Sequence, residues 1–201
     1  MKLSDYVIDF LAQRGVTRVF GMSGGAAVHL FDSAAKHPAL NYVCSTHEQC
    51  AAISADGYAR ASGKIGVAIT TSGPGATNLL TGVCCSYYDS VPTMMITGQV
   101  ATHRLKGDRP VRQVGFQETD VLSIFGTVTK YAVQIRDPHT IRYHLEKAFH
   151  LAFEGRPGPV LIDLPDDLQR AEVDPDTMKS FTPEPPAASK AELEQELDKL
   201  M

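Results

Sequence analysis

The stretch "IGVAITTSGPGATNLLTGVCCSYYDSVPTMMIT", residues 65–97, holds two strand patterns with a glycine-rich turn and a helix pattern between them. Residues 65–71 and 91–97 are short and mostly apolar, as in strands that are buried on both faces of a parallel sheet. Residues 75–89 have the length of a helix. A strand, a helix and a further strand in this order predict the βαβ unit of a parallel sheet.

The same alternation runs through the chain up to residue 168. It comprises further strand patterns at 16–20, 40–46, 127–135 and 159–165 and helix patterns at 24–36, 48–62 and 138–154. We therefore predict an α/β fold over residues 1–168, with a doubly wound parallel sheet of about six strands and helices on both faces.

Beyond the predicted sheet the composition changes. Residues 169–189 are rich in proline and poor in large apolar side chains, and we expect them to form a linker. Residues 190–201 resume a helix pattern, which we interpret as the start of a truncated central domain. The alternative is a tail helix that docks on the first domain.

The bulk composition favours a soluble globular protein. The chain has 201 residues, of which 43% are hydrophobic and 21% charged, and a formal net charge of -4. A negative charge does not favour binding to nucleic acid or to acidic membranes. No apolar run is long enough to span a bilayer, and Asp5 and Asp9 interrupt the region where a signal peptide would be apolar. We expect a cytoplasmic protein.

The four cysteines, Cys44, Cys50, Cys84 and Cys85, show no C-x-x-C spacing. The adjacent pair lies in an apolar helix pattern. We expect free, buried thiols in a reducing compartment rather than disulfides or zinc ligands.

A carboxylate lies at one of the predicted strand-to-helix junctions. In "CSTHEQCAAISADGYAR", residues 44–60, Glu48 follows a strand pattern and precedes a helix of small side chains. One explanation is structural: Thr46 and Gln49 form a T-x-x-Q capping box, and the helix dipole favours an acid in the first turn. The other explanation is functional, since ligands of open parallel sheets bind at the carboxyl ends of the strands.

Two further junctions at the same edge are rich in glycine. They are "VFGMSGGAAVHL", residues 19–30, and "AITTSGPGATNLL", residues 68–80. Glycine there lets a backbone approach a ligand closely, although a tight turn needed only for packing would have the same composition. Neither turn has the full G-x-G-x-x-G fingerprint, and the chain has no P-loop. With Glu48, the turns predict a narrow slot that offers one charged group to a planar heterocycle.

Five motifs in chain order resemble one family. They are "HEQCAAISADGYAR", "TSGPGATNLLTGV", "DSVPTMMITGQV", "GFQETD" and "GRPGPVLIDLPDDLQ". Together they are similar to the pyrimidine-binding N-terminal domain of thiamine-diphosphate enzymes, and among these to acetolactate synthase large subunits. The resemblance covers residues 1–168.

The resemblance assigns roles to specific residues. It implies that Glu48 is catalytic, because the family's glutamate hydrogen-bonds N1′ of the cofactor's aminopyrimidine and favours the tautomer that acts as a base. Burial would then outweigh the helix dipole and favour the protonated acid. The implied cofactor-binding residues are Gly24, Gly25, Glu48, Ser72, Gly73, Pro74, Gly75 and Asn78, and the implied substrate-binding residues are Phe116 and Gln117.

Some of these assignments have structural alternatives. Residues 21–25 read G-M-S-G-G where family members commonly have G-Y-P-G-G, which weakens the inferred contacts of Gly24 and Gly25. Phe116 would alternatively be a core residue, and Gln117 a neighbour of a helix cap.

The largest departure from the family pattern is a stretch that is rich in basic residues. The stretch before "GFQETD" is longer and more basic than is typical, with Arg104, Lys106, Arg109 and Arg112 close together. Residues 104–112 form either a solvated loop or an anion clamp for a carboxylate or a phosphate.

The resemblance implies a carboligase or decarboxylase that acts on 2-oxoacids, a transferase or lyase similar to acetolactate synthase. Its cofactor would be thiamine diphosphate with Mg2+, held at the diphosphate by a domain absent from this chain. The only Gly-Asp pair, at 107–108, lacks the second glycine of the Gly-Asp-Gly motif that would bind the metal. We expect no metal site in the chain, no activity of the chain alone, and a homodimer or homotetramer with active sites between chains. FAD in a full-length protein is left open.

Two other functions remain as alternatives. One is a non-catalytic nucleotide-binding or regulatory α/β module, against which the missing phosphate fingerprint argues. The other is one chain of a split two-subunit 2-oxoacid decarboxylase.

Overall fold

A six-stranded sheet organises the part of the chain that the computed structural model describes, residues 1–183 and Lys199. Its strands are β1 (Arg18–Gly21), β2 (Asn41–Cys44), β3 (Gly66–Thr70), β4 (Thr93–Gln99), β5 (Tyr131–Gln134) and β6 (Val160–Pro165). They lie in the order β2-β1-β3-β4-β6-β5, and every neighbouring pair is parallel. The six predicted strands and the doubly wound α/β class are confirmed.

The helices of the described residues alternate with these strands. They are α1 (Leu3–Gln13), α2 (Val28–Lys36), α3 (Glu48–Ser62), α4 (Pro74–Thr77), α5 (Leu80–Tyr88), α6 (Val121–Phe125), α7 (Ile141–Phe153) and α8 (Asp166–Gln169), with short 3-10 turns at Gly25–Ala27, Thr102–Arg104 and Pro138–Thr140. Within the described ranges, no helix combines the length and apolar character needed to cross a bilayer.

The predicted helix at 75–89 is two helices, α4 and α5. The Leu79 N–H bonds to the carbonyl of Ala76, three residues back, so the turn between the two helices is tighter than an α-helical turn. The sequence patterns above also omit α1, although Leu3, Val7 and Leu11 recur at helical spacing and are buried.

The helices cover the two faces of the sheet. On one face, Leu11 of α1, Leu30 of α2 and Leu145 of α7 belong to one buried cluster. On the other face, α3, α5 and α6 supply a second cluster that includes Val83 and Phe125. Strands β3 and β4 are buried along their whole length, which explains their near-continuous apolar sequences.

The free thiols are confirmed, but their predicted burial is wrong. Cys44, Cys50 and Cys85 are exposed, and Cys84 is half-buried. The reason is that other residues of α3 and α5 face the sheet, and β2, which ends at Cys44, is an edge strand.

The chain changes direction in the sheet between β1 and β3. From β1 it runs outwards to the edge strand β2 and then crosses back to β3 on the other side of β1. Ligands of open parallel sheets bind at the carboxyl ends of the strands at such a switch point. The two glycine-rich turns follow β1 and β3 and therefore flank this crevice, and Glu48 follows β2.

Residues 171–183 run along the sheet domain. The Leu3 N–H donates to the carbonyl of Ala171 over 2.8 Å, and both Val173 and Met178 are buried. The predicted domain boundaries stay predictions. The end of the predicted linker and nearly all of the predicted start of a central domain lie outside the described residues.

Candidate functional site

Glu48 is the first residue of α3 and is only 8% exposed. Asn78 Nδ2 donates a hydrogen bond of 2.9 Å to Glu48 Oε2. No other residue within the described ranges hydrogen-bonds this carboxyl group, so Oε1 remains free. A Cβ atom placed on Gly75 would come within 3.3 Å of Oε1. The carboxyl group therefore lies at the second glycine turn with one oxygen available to a ligand.

The start of α3 differs from the predicted capping box. His47, not Thr46, is the N-cap, and its Nδ1 accepts a hydrogen bond of 3.1 Å from the N–H of Gln49. The capping-box prediction is wrong because the helix begins one residue later than that motif requires. Glu48 thus occupies the first helical position, and its side chain bonds to Asn78 instead of to the helix backbone.

Thr71 joins the two glycine turns. Its Oγ1 accepts a hydrogen bond of 3.1 Å from the N–H of Ala26, in the first turn. A Cβ on Gly24 would lie 2.5 Å from Thr71 Cβ, and a Cβ on Gly75 would lie 2.6 Å from Thr71 Cγ2. Both glycines are therefore required for packing on Thr71, a residue that the sequence analysis missed. Its one signal in the sequence is its place between a strand and a glycine-rich turn.

Gly73 and Gln117 form the opposite side of the second turn. Gly73 has φ 60° and ψ -125°, a conformation that other residues rarely adopt. Gln117 Cβ and the Gln117 carbonyl oxygen would lie 2.8 and 2.9 Å from a Cβ on Gly73. Gln117 itself has φ 62°, and such strain in a non-glycine residue is typical of functional sites. The structure therefore brings a predicted substrate-binding residue against a predicted cofactor-binding residue.

The remaining predicted residues differ in exposure. Ser72 is buried, Pro74 is the first residue of α4, and Gly25 has open space around it. Phe116 is 81% exposed, so its alternative interpretation as a core residue is wrong. Its ring is free to contact a ligand or another chain.

A buried carboxylate supports the "GFQETD" segment from inside the sheet. Asp163 accepts hydrogen bonds from Thr97 Oγ1 (2.7 Å), Gln99 Nε2 (3.1 Å) and Gln134 Nε2 (2.8 Å). Gln99 Nε2 also donates to the carbonyl of Thr119 over 2.9 Å. Burial raises the pKa of Asp163 to about 6, against the opposing effect of these hydrogen bonds. The sequence analysis missed this network, whose signal is an aspartate inside an apolar strand.

The comparison with known families agrees with this geometry. A family model described as "Thiamine pyrophosphate enzyme, N-terminal TPP binding domain" matches residues 1–124. The chain belongs to this family.

Several curated proteins are similar to this thiamine pyrophosphate enzyme domain. An acetolactate synthase of Arthrospira platensis is 44% identical over 171 residues, which are 84% of this chain. The acetolactate synthase large subunit of Lactococcus lactis is 43% identical over 170 residues, or 85% of the chain. The large subunit of acetolactate synthase isozyme 3 of Escherichia coli is 42% identical over 165 residues, or 82% of the chain. The chain spans about 28% of the length of these relatives.

The residues around Glu48 fit the aminopyrimidine of thiamine pyrophosphate. The free Oε1 can exchange a hydrogen bond with a ring nitrogen, and the glycine turns leave backbone surfaces that a flat ring can approach. Among residues 1–183 and Lys199, no group of three or more His, Cys, Asp or Glu side chains is arranged to hold a metal ion.

Proposed function

We propose that this chain is the pyrimidine-binding half of a thiamine pyrophosphate-dependent 2-oxoacid carboligase or decarboxylase similar to acetolactate synthase. One observation carries the proposal: the buried Glu48 carboxyl group has Oε2 held by Asn78 and Oε1 free beside Gly75. The similarity to acetolactate synthases supports the choice of 2-oxoacids as the substrate class.

Bound thiamine pyrophosphate supplies a nucleophilic carbon for the 2-oxoacid carbonyl and an electron sink. Glu48 holds a proton at N1′ of the aminopyrimidine through Oε1. Asn78 fixes the carboxyl group through Oε2, so that the proton is held at one defined oxygen.

The other predicted site residues bind and orient the cofactor and the substrate. In this proposal, the backbone of residues 72–75 lies along the pyrimidine ring, and Gly24 and Gly25 form the facing wall. Phe116 and Gln117 lie at the substrate end. The left-handed backbone of Gln117 and its contact with Gly73 support this arrangement, because they hold the substrate end against the cofactor end.

The rest of the active site lies outside this chain in our proposal. Mg2+ and the diphosphate are held by another domain, and the enzyme is a cytoplasmic homodimer or homotetramer with its active sites between chains. Ile53 on α3 is 45% exposed and Tyr88 on α5 is 67% exposed, which supports a subunit contact on this layer.

The test is Glu48→Gln in the full-length protein. We expect C2–H exchange of the bound cofactor, followed by NMR, to slow by about 10²–10⁴-fold, because the variant cannot transfer a proton at N1′. Glu154→Gln is the matched control, since Glu154 is exposed and follows α7 on the opposite layer. Unchanged exchange in Glu48→Gln removes Glu48 from the mechanism.

A second measurement addresses the alternatives. A nucleotide-binding module would bind a mononucleotide and no thiamine in equilibrium dialysis. A split two-subunit decarboxylase would require a separate polypeptide that carries the diphosphate-binding domain, and activity would appear when the two chains are mixed.

A further inference from the structure

A cavity of about 390 Å³ opens at the carboxyl ends of the strands, the same side of the sheet as Glu48 but near the other outer strand, β5. It lies between the loop that follows β4 and the end of the edge strand β5. Lys106 and Arg112 of the loop line it, together with Gln134 and Arg136 at the end of β5. The cavity therefore brings together three cations from two separate parts of the sequence.

None of the three cations forms a short ion pair with a carboxylate of the described residues, although Lys106 acts on the Asp120 carboxylate electrostatically and lowers its pKa. Cations that converge on a cavity without an ion pair leave a positive potential for an anion.

The two acids that line the cavity are engaged by protein donors. Glu118 accepts the N–H groups of Lys106 (2.6 Å) and Val114 (2.8 Å), one on each carboxylate oxygen. Asp120 caps α6, accepting the N–H of Ser123 over 3.1 Å and the Ser123 hydroxyl over 2.6 Å. The hydrogen bond from the Ser123 hydroxyl is the main cause that lowers the pKa of Asp120. Both acids hold the loop in place but carry formal negative charges, so the three cations and two carboxylates of the lining leave the cavity with a formal charge of about +1.

The basic residues of this loop therefore have two different roles. Arg109 donates to the carbonyls of Lys106 and Leu105 and so fastens the loop to itself. Lys106 and Arg112 line the cavity instead, where Arg136 joins them. The cluster of basic residues in the sequence did not reveal Arg136, because β5 brings it to the loop only in the folded chain.

We propose that this cavity binds a small organic phosphate through Lys106, Arg112 and Arg136. A phosphomonoester has three acceptor oxygens and about -1.5 to -2 charges at pH 7, so it can accept hydrogen bonds from all three cations at once, which a single carboxylate with two oxygens does less well. The volume is in the range of sites for small organic molecules. Gln134 is fixed at the cavity wall by its hydrogen bond of 2.8 Å to the buried Asp163.

The phosphate site shares no residue with the proposed cofactor site, although Glu118 in its lining directly follows Gln117 of the proposed substrate end. In the sheet, β5 lies three strands away from β3, which corresponds to roughly 14 Å at the usual strand spacing. Glu48 follows β2 at the opposite edge of the sheet. The proposal therefore goes beyond the proposed function and does not depend on it.

The test is calorimetric titration of the full-length protein with glycerol 3-phosphate, in saturating thiamine pyrophosphate and Mg2+ and at constant ionic strength. We expect saturable binding that weakens about tenfold or more in Arg112→Gln and in Arg136→Gln, each checked for folding by circular dichroism. Arg18→Gln is the matched control and should bind normally, because Arg18 is exposed and begins β1, which lies four strands away from β5 in the sheet. Glu48→Gln should also bind normally.

The proposal is overturned if the wild type shows no saturable binding, if Arg112→Gln and Arg136→Gln bind as tightly as the wild type, or if Arg18→Gln weakens equally. It is also overturned by loss of binding in Glu48→Gln or by acetate binding as tightly as glycerol 3-phosphate. Inorganic phosphate, titrated in parallel, shows whether the phosphate group alone is sufficient: weaker binding of inorganic phosphate supports an organic ligand, and tighter binding argues against one.

Discussion

Glu48 and Asp163 are both buried carboxyl groups, but only Asp163 has both of its oxygens hydrogen-bonded by the protein. Asp163 accepts hydrogen bonds from Thr97, Gln99 and Gln134, whereas Glu48 accepts one, from Asn78. A buried polar group with all its bonds made inside the protein is structural, and one with a free oxygen can serve a ligand. Hydrogen bonding therefore distinguishes the two roles at the scale of single residues.

The raised pKa of Asp163 predicts a pH-dependent stability. The group titrates at about 6 in the fold against an ordinary value of 3.8, so the folded protein binds this proton more tightly than the unfolded chain. Its contribution to the free energy of unfolding is therefore largest below the ordinary value and is lost as the pH rises through about 6.

Asp163→Asn should remove this dependence. The free energy of unfolding of the wild type relative to the variant should fall by about 3 kcal/mol between about pH 3 and 7, measured by urea denaturation. Asp108→Asn, in the exposed part of the basic loop, is the control for the loss of a carboxylate. A difference between wild type and Asp163→Asn that does not vary with pH would contradict the prediction.

The sequence motifs singled out individual candidate residues but did not predict which residues of different motifs contact each other. The motifs pointed to Glu48 and Asn78, and the structure joins them. The Asp163 network needs β4, β5 and β6 in the order β4-β6-β5, which differs from their order in the chain. The spacing of residues along the sequence does not show that β6 lies between β4 and β5 in the sheet.

At the scale of elements, α3 and α5 pack closely because small residues face each other. A Cβ on Gly82 of α5 would lie 2.4 Å from the Ala52 Cβ and 3.1 Å from the backbone of α3. This close approach explains why α3 is rich in alanine and serine. The motif predicted α3 correctly, whereas α4 and α5 were predicted as one helix because the tight turn between them leaves the helical pattern unbroken.

Two glycine substitutions should have opposite effects. Gly82→Ala places a methyl group in the α3–α5 contact and should lower the free energy of unfolding by about 1–3 kcal/mol. Gly57→Ala, in α3 with open space around the new Cβ, should raise it by about 0.5–1 kcal/mol, because alanine favours the helix. Urea denaturation of both variants checks the pair. If Gly82→Ala raised the free energy of unfolding, the two helices could move apart to accept the methyl group without loss of stability, which would contradict the prediction.

At the scale of the whole molecule, the two helical layers expose different surfaces. The layer of α3 and α5 exposes Ile53, Tyr87 and Tyr88, as well as two of the four cysteines. On the other layer, Val28 of α2 is 52% exposed and Phe153 of α7 is 38% exposed, but they lie on separate helices and not side by side in one helix pair. An apolar surface shared by two adjacent helices is typical of a contact between chains. It lies on the helix that Glu48 begins, so a partner chain there would be next to the proposed site.

Ile53→Asp in the full-length protein should therefore weaken both assembly and activity. The new carboxylate would be desolvated in the contact without a partner, so the variant should dissociate at protein concentrations where the wild type stays assembled. Sedimentation velocity over a dilution series measures the assembly, and 2-oxoacid turnover over the same series measures the activity. Phe153→Asp puts the same charge on a comparably exposed apolar position of the other layer and should leave both unchanged. If Ile53→Asp stays assembled at every concentration, the contact does not involve α3. If it dissociates while keeping full turnover, the active site is complete within one chain and the proposed position of the site between chains is wrong.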